Sequence, residues 1–176
     1  MFNITKACKE LRGSSFLSWY RKEDADYICN GYFIIKTDLA KEENRKILGL
    51  LVEKFRVIPE TNTGLEFKGK ANGIVQLDPN WLKFTEERPT ETIEDTKLIY
   101  VSNGGKMRIF KGKDYIYINM KYFEMIDKHS LVKYEGGENL QLISAVCEDD
   151  LLLMMPVRMC EDNRFLAKEK DLSSYN

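Results

Sequence analysis

The sequence holds one histidine, four prolines and four scattered cysteines in 176 residues. Cys8, Cys29, Cys147 and Cys160 form no C-x-x-C pair, whereas a zinc site needs clustered Cys and His ligands. Nor do they suggest the disulfide framework of a small secreted domain; free thiols fit a reducing compartment. Any Ser-His-Asp or Cys-His device would have to run through His129. That residue lies beside Lys128 and Ser130 at a predicted helix end, where a solvated imidazole explains it. A glycine-rich phosphate loop is also missing. Gly104-Gly105 and Gly136-Gly137 read as hairpin turns, without the helix and lysine that phosphate binding requires. Asp149-Asp150 reads as a turn between apolar strands, and Asp26, Asp38, Asp95 and Asp114 have no spacing that puts two on one face. The expectation is a non-enzymatic protein with no catalytic residue, no metal and no cofactor.

Long hydrophobic runs are lacking too. The longest, Leu151 to Val157, is too short to span a bilayer, and Lys6, Lys9, Glu10 and Arg12 interrupt any signal-peptide core. A cytoplasmic protein without membrane contact is expected. The net charge of -1 gives no bulk attraction to nucleic acid. Charge is uneven, however: residues 105–128 carry six Lys/Arg against three Asp/Glu, and residues 130–176 carry five against nine.

What is present is the composition of a soluble globular chain, 43% hydrophobic and 31% charged. A chain of this length buries roughly 70% of its extended surface on folding and needs no staple. One domain over 1–176 is expected, with a division into halves 1–85 and 97–159 and a polar tail 160–176 as the alternative.

Ile4, Ala7, Cys8 and Leu11 form an i, i+3, i+4, i+7 stripe, so Phe2 to Leu11 reads as an amphipathic helix ended by Gly13. Phe16 to Tyr20 reads as a strand. Tyr27–Cys29 and Tyr32–Lys36 flank Asn30-Gly31, a hairpin signal if both turn positions take positive φ, with a bulge at Gly31 as the competing reading. Asp38 is a candidate N-cap for a helix over Leu39–Phe55, whose buried stripe is Ile47, Leu48, Leu51, Val52 and Phe55. Leu65–Phe67 and Ile74–Leu77 read as a hairpin, and the acidic, threonine-rich Glu86–Thr96 as a flexible loop. Leu98–Val101 and Met107–Phe110 form a second hairpin. After the strand Tyr115–Ile118 comes a helix from Asn119, then strands at Leu131–Tyr134, Leu140–Cys147 and Leu151–Val157. The fold class is α+β, antiparallel sheets with two to four helices. Ile116, Ile118, Phe123, Ile126, Leu142, Leu152 and Met154 are expected in the core.

Val75–Leu82 and Ile116–Phe123 echo one another 41 residues apart. In each, an alternating strand runs into a cap, Asp78 or Asn119, and then a bulky pair, Trp81-Leu82 or Tyr122-Phe123. Together with the closing Met155-Pro156-Val157-Arg158-Met159, this order resembles the C-terminal part of bacterial DNA sliding clamps over about residues 73–159. The resemblance implies strand-helix-strand units and an apolar pocket for linear peptides. Met155, Pro156 and Val157 would form its wall, Arg158 its polar rim and Met159 its edge. Three departures stand beside it: the chain is about half a clamp protomer long, seventeen residues follow the motif, and residues 119–129 offer only Lys121 and Lys128 as cations. The pattern also looks like that of small bacteriophage-encoded proteins.

Three functions follow as expectations. One is a phage-encoded, clamp-like module that self-associates or docks host replication or defence proteins. Another is an anti-CRISPR or other anti-defence inhibitor acting by occlusion or DNA mimicry, using the acidic segments Glu86–Asp95 and Glu148–Asp150. The third is direct nucleic-acid binding through Lys106, Arg108, Lys111 and Lys113, with Tyr115 and Tyr117 as stacking platforms.

Overall fold

The computed structural model describes residues 1–69, 75–76, 79–102, 104–137 and 141–158, with the backbone alone at 75–76. Met159, Cys160 and the expected polar tail 160–176 lie outside the described residues. In chain order the elements are α1 (Ile4–Gly13), β1 (Phe16–Arg21), β2 (Asp26–Cys29), β3 (Phe33–Thr37), α2 (Arg45–Phe55), β4 (Thr63–Lys68) and β5 (Val75–Gln76). Then follow α3 (Lys83–Glu86), β6 (Glu91–Thr92), β7 (Glu94–Ser102), β8 (Gly105–Lys111), β9 (Tyr115–Asn119) and α4 (Met120–Phe123). Finally come β10 (Lys133–Gly136), β11 (Ile143–Cys147) and β12 (Asp150–Met154). The fold is mixed α+β and mostly antiparallel sheet.

A nine-stranded sheet runs in the order β5-β4-β1-β2-β3-β12-β11-β10-β6, and β7-β8-β9 make a separate three-stranded sheet. The join between β3 and β12 brings together strands more than a hundred residues apart, with Ile35 opposite Leu152 and Phe33 opposite Met154. Successive side chains of a strand face opposite ways, and here both faces of the central strands are buried. One face carries Leu17, Trp19, Ile28, Phe33, Ile35, Ile143, Ala145, Leu152 and Met154 into the main core. That core is closed by Ala7 and Leu11 of α1, by Ile47, Leu51 and Phe55 of α2, and by Phe110, Ile116 and Ile118 of the small sheet. The opposite face carries Cys29, Ile34, Leu151 and Leu153, packed with Trp81, Leu142 and Val146.

Several expected elements shift for local reasons. Helix α1 begins at Ile4 because the Asn3 side chain caps it, accepting the Lys6 N–H at 3.2 Å. Helix α2 starts at Arg45, six residues after the expected Leu39. Asp38 caps only its own turn, accepting from the Ala40 N–H at 2.8 Å, while the Asn44 amide donates to Asp38 O and Thr37 Oγ1, each at 2.9 Å. These bonds hold 38–44 as a loop ending in a 3-10 turn, with Leu39 buried beneath it. Asn30-Gly31 does close a hairpin, but only Gly31 of the pair has positive φ, +87°. The Asn30 N–H bonds Phe33 O, so the turn is centred on Gly31-Tyr32, the position a first central glycine serves in type II′ turns. The second half of the acidic stretch expected as a flexible loop is mostly strand: Glu91–Thr92 pairs with β10, and β7 begins at Glu94. Buried Ile93 anchors it. Asp150, expected in a turn, opens β12 and is buried, accepting from the Met1 ammonium at 3.1 Å and Thr37 Oγ1 at 2.6 Å.

Of the expected core, Ile116, Ile118, Ile126, Leu152 and Met154 are buried. Phe123 and Leu142 are only partly so. Phe123 packs edge-on to Phe110 and stacks near Tyr134, with the Arg108 guanidinium 5.0 Å above its ring. Among the described residues no helix is long and apolar enough to cross a membrane.

Candidate functional site

The second face of the large sheet is covered incompletely, and there an open apolar pocket forms. Its volume is about 440 Å³. Cys29 and Ile34, paired in register across β2 and β3, make a buried floor. Trp81 and Phe84, three apart on the 3-10 turn Asn80–Leu82 and α3, make one wall; Leu142 and Met155 make others, and Phe16, Tyr32 and Pro156 border it.

Hydrogen bonds fix both sides. The Met155 N–H donates to Tyr32 O at 2.9 Å, tying the end of β12 to the hairpin tip. At that tip, Asn30 Oδ1 accepts from the Tyr32 and Phe33 N–H groups, each at 3.0 Å, and Asn30 Nδ2 donates to Ser14 Oγ at 3.1 Å. Across the pocket, Trp81 Nε1 donates to Ser18 Oγ at 3.3 Å, and Lys22 Nζ pairs with Glu86 at 3.2 Å. Burial pushes the Cys29 thiol up to about 11, so it is a neutral apolar surface and not a nucleophile. Three of the large apolar side chains that remain exposed meet at this pocket: Tyr32 at 59%, Phe84 at 43% and Met155 at 46%.

The five-residue motif expected to form a pocket is divided by the structure. Met155 and Pro156 line it, but Val157 does not. Its N–H donates to Tyr117 O at 2.8 Å, and its side chain packs on the cluster of Met107, Ile109 and Tyr117 against the small sheet. The cause is the bridge between Pro156 and Ile118, which turns the chain from the large sheet onto the edge of β9. Arg158 is exposed and Met159 is outside the described residues. The burial of Leu152 and Met154 was legible in the sequence as part of an apolar run, although the run also buries Leu151 and Leu153 on the opposite face. The partners that complete the pocket were not legible, since Phe16, Cys29, Tyr32, Trp81, Phe84 and Leu142 come from four separate stretches of the chain. The local signal was the Asn30-Gly31 turn.

The four cations proposed for nucleic acid do not share a face. Lys106 and Arg108 alternate with Met107 and Ile109 on β8, whereas Lys111 lies opposite Tyr115 on the side of Ile109 and Tyr117. Arg108 is engaged: its guanidinium donates to both carboxylate oxygens of Asp95, at 2.6 and 2.8 Å, and to Lys97 O at 2.8 Å. Tyr117 is buried, and Tyr115 carries the Lys111 ammonium 4.3 Å above its ring, so neither offers a free stacking surface. Lys106 and Lys113 are exposed. His129 is exposed and its backbone N–H donates to Asp127 Oδ1. Among the described residues no group of three or more His, Cys, Asp or Glu side chains is placed to hold a metal ion. Compared with protein-family models, curated proteins and solved structures, the chain matches none of them.

Proposed function

We propose that this chain is a non-enzymatic protein-binding module whose apolar pocket receives side chains of a partner protein. The convergence of Tyr32, Phe84 and Met155 on a buried Cys29 and Ile34 floor carries the reading. Aromatic and methionine side chains around a desolvated pocket are the usual anchors of protein interfaces, and Met adapts to different ligands. Sites for small metabolites add several convergent polar groups that fix orientation; the lining here is almost wholly hydrocarbon and ring. A phage-encoded chain acting on host replication or defence proteins is the context in which we place it. The split of the basic residues over two faces of β8 favours this reading over nucleic-acid binding. Acidic mimicry is favoured less, because Arg108 neutralises Asp95.

The test exploits the exposure of two wall residues. Phe84→Glu and Met155→Glu place a charge where water already reaches, so both variants should keep the wild-type Tm within the scatter of surface substitutions, about 0.5 kcal/mol. Both should lose the host protein that cross-links to the wild-type chain. Folded variants that retain the same cross-linked partner would rule the pocket out as its site.

A further inference from the structure

A second, polar pocket abuts the apolar one. Its lining includes Phe16, Gly31 and Tyr32, all three of which also line the first, so the two form one groove around the hairpin tip. The polar half is bordered by Lys9, Glu10, Lys121 and Tyr122, together with Ser14, Ser15 and Asn30. Tyr32 and Tyr122 stack at 6.2 Å between ring centroids, and the Lys121 ammonium lies 4.6 Å from the Tyr122 ring and 6.0 Å from that of Tyr32. A cation held over two stacked rings keeps its charge at a fixed place. Lys9 and Lys121 are exposed and form no ion pair among the described residues. Glu10 is the one carboxylate facing them in this pocket, leaving an excess of one positive charge. The groove therefore has a direction: apolar from Trp81 to Met155, cationic beyond Tyr32.

We infer that the groove takes a linear peptide segment whose apolar side chains are followed by acidic ones, the apolar residues seated on Cys29, Ile34, Trp81 and Phe84 and the carboxylates set against Lys9 and Lys121. This rests on the apolar-pocket reading of the preceding section and adds the chemistry of the partner. Charge complementarity selects an acidic over a basic neighbour because a like charge against the lysines is repelled while an opposite one is attracted. Glu10 and the C-terminal end of α1 work in the opposite sense, so the preference depends on both lysines acting together.

The neutral fluorophore N-phenyl-1-naphthylamine separates the two claims, since it reports an apolar pocket without regard to charge. The full chain should enhance its fluorescence, and Met155→Glu should abolish the enhancement. If the dye does not bind, or binds the variant equally, the pocket reading itself fails. With binding established, displacement is measured with acetyl-Leu-Leu-Phe-Glu-Glu-amide and acetyl-Leu-Leu-Phe-Lys-Lys-amide at low ionic strength. The acidic peptide should displace the dye at roughly tenfold lower concentration, an advantage that shrinks as salt screens it. Lys9→Glu combined with Lys121→Glu should reverse the order, and Lys9→Glu alone should reduce it should the double variant fail to fold. Equal displacement by the two peptides, or none by either, overturns the inference while leaving the apolar pocket intact.

Discussion

At the scale of single residues, one buried carboxylate makes the fold sensitive to pH. Asp26 is 4% exposed, and the Trp19 indole N–H donates to it at 2.8 Å. Burial raises its carboxyl above the ordinary value; the bond from Trp19 and the charge of Arg21 offset only part of that. Because the folded value lies above the unfolded one, the fold favours the protonated form. That stabilisation is complete below the ordinary carboxylate range and is lost as pH rises through the folded value. Asp26→Asn keeps an acceptor for Trp19 and stays neutral at every pH. The Tm of the variant should therefore gain on the wild type between about pH 4 and about pH 7, where an ordinary Asp has already ionised. A difference in Tm that does not move over that range would show that Asp26 titrates alike in both states. None of this was legible in the sequence, where Asp26 looked like one more dispersed acid. Its burial comes from β1 and β2 pairing Arg21 with Asp26 and turning both toward Trp19.

Among elements, strong local patterns were readable and their ends were not. The helical stripe from Ile47 to Phe55, the hairpin at Gly31 and the apolar run of β12 each follow from nearest-neighbour chemistry. The start of α2 does not, because the bonds that hold Asp38 and Asn44 out of a helix depend on Thr37, fixed in turn by Asp150 over a hundred residues away. The same lesson applies to β7. Its acidic start looked like a solvated loop, yet Arg108 on β8 draws Asp95 into a two-bond ion pair whose side chains are 13% and 19% exposed. Between Asp95 and Ile99 the register shifts, with Lys97 at positive φ and the Thr96 hydroxyl bonding Ile109 O. The pair thus holds the first part of β7 to the sheet across a bulge. A double-mutant cycle of Asp95→Ala and Arg108→Ala should give a coupling of about 1–3 kcal/mol by denaturant unfolding, above the range of exposed pairs. A coupling below about 0.3 kcal/mol would mean that β7 holds its place by backbone pairing alone, with solvent screening the charges.

In the molecule as a whole, sheet order is the property least visible in sequence, since β-rich segments state their faces but not their neighbours. Placing β12 beside β3 sets Leu152 against Ile35 and Leu153 against Ile34, and this one seam unites residues that a division at the acidic stretch would separate. It also creates the candidate site, because the floor strands β2 and β3 and the Met155-Pro156 wall meet only there. Both tryptophans, Trp19 and Trp81, belong to the first 85 residues. Trp81 packs on the cluster that holds Leu151 and Leu153, so the test uses a Trp81→Phe chain, in which the fluorescence of Trp19 beside Phe55 reports the first half and far-UV circular dichroism reports every strand. If the seam couples the halves, the two signals should follow a single unfolding curve in urea, as all-or-none transitions do. Leu152→Asp sharpens the test. Leu152 is fully buried in the far half of the sequence, and an unpaired carboxylate there costs several kcal/mol, a large part of the roughly 5–15 kcal/mol that stabilises a domain. The substitution should shift the tryptophan transition to lower urea by as much as the circular dichroism transition. A tryptophan curve left in place while the dichroism curve moves would mean that residues 1–85 fold on their own and that β12 merely docks on them.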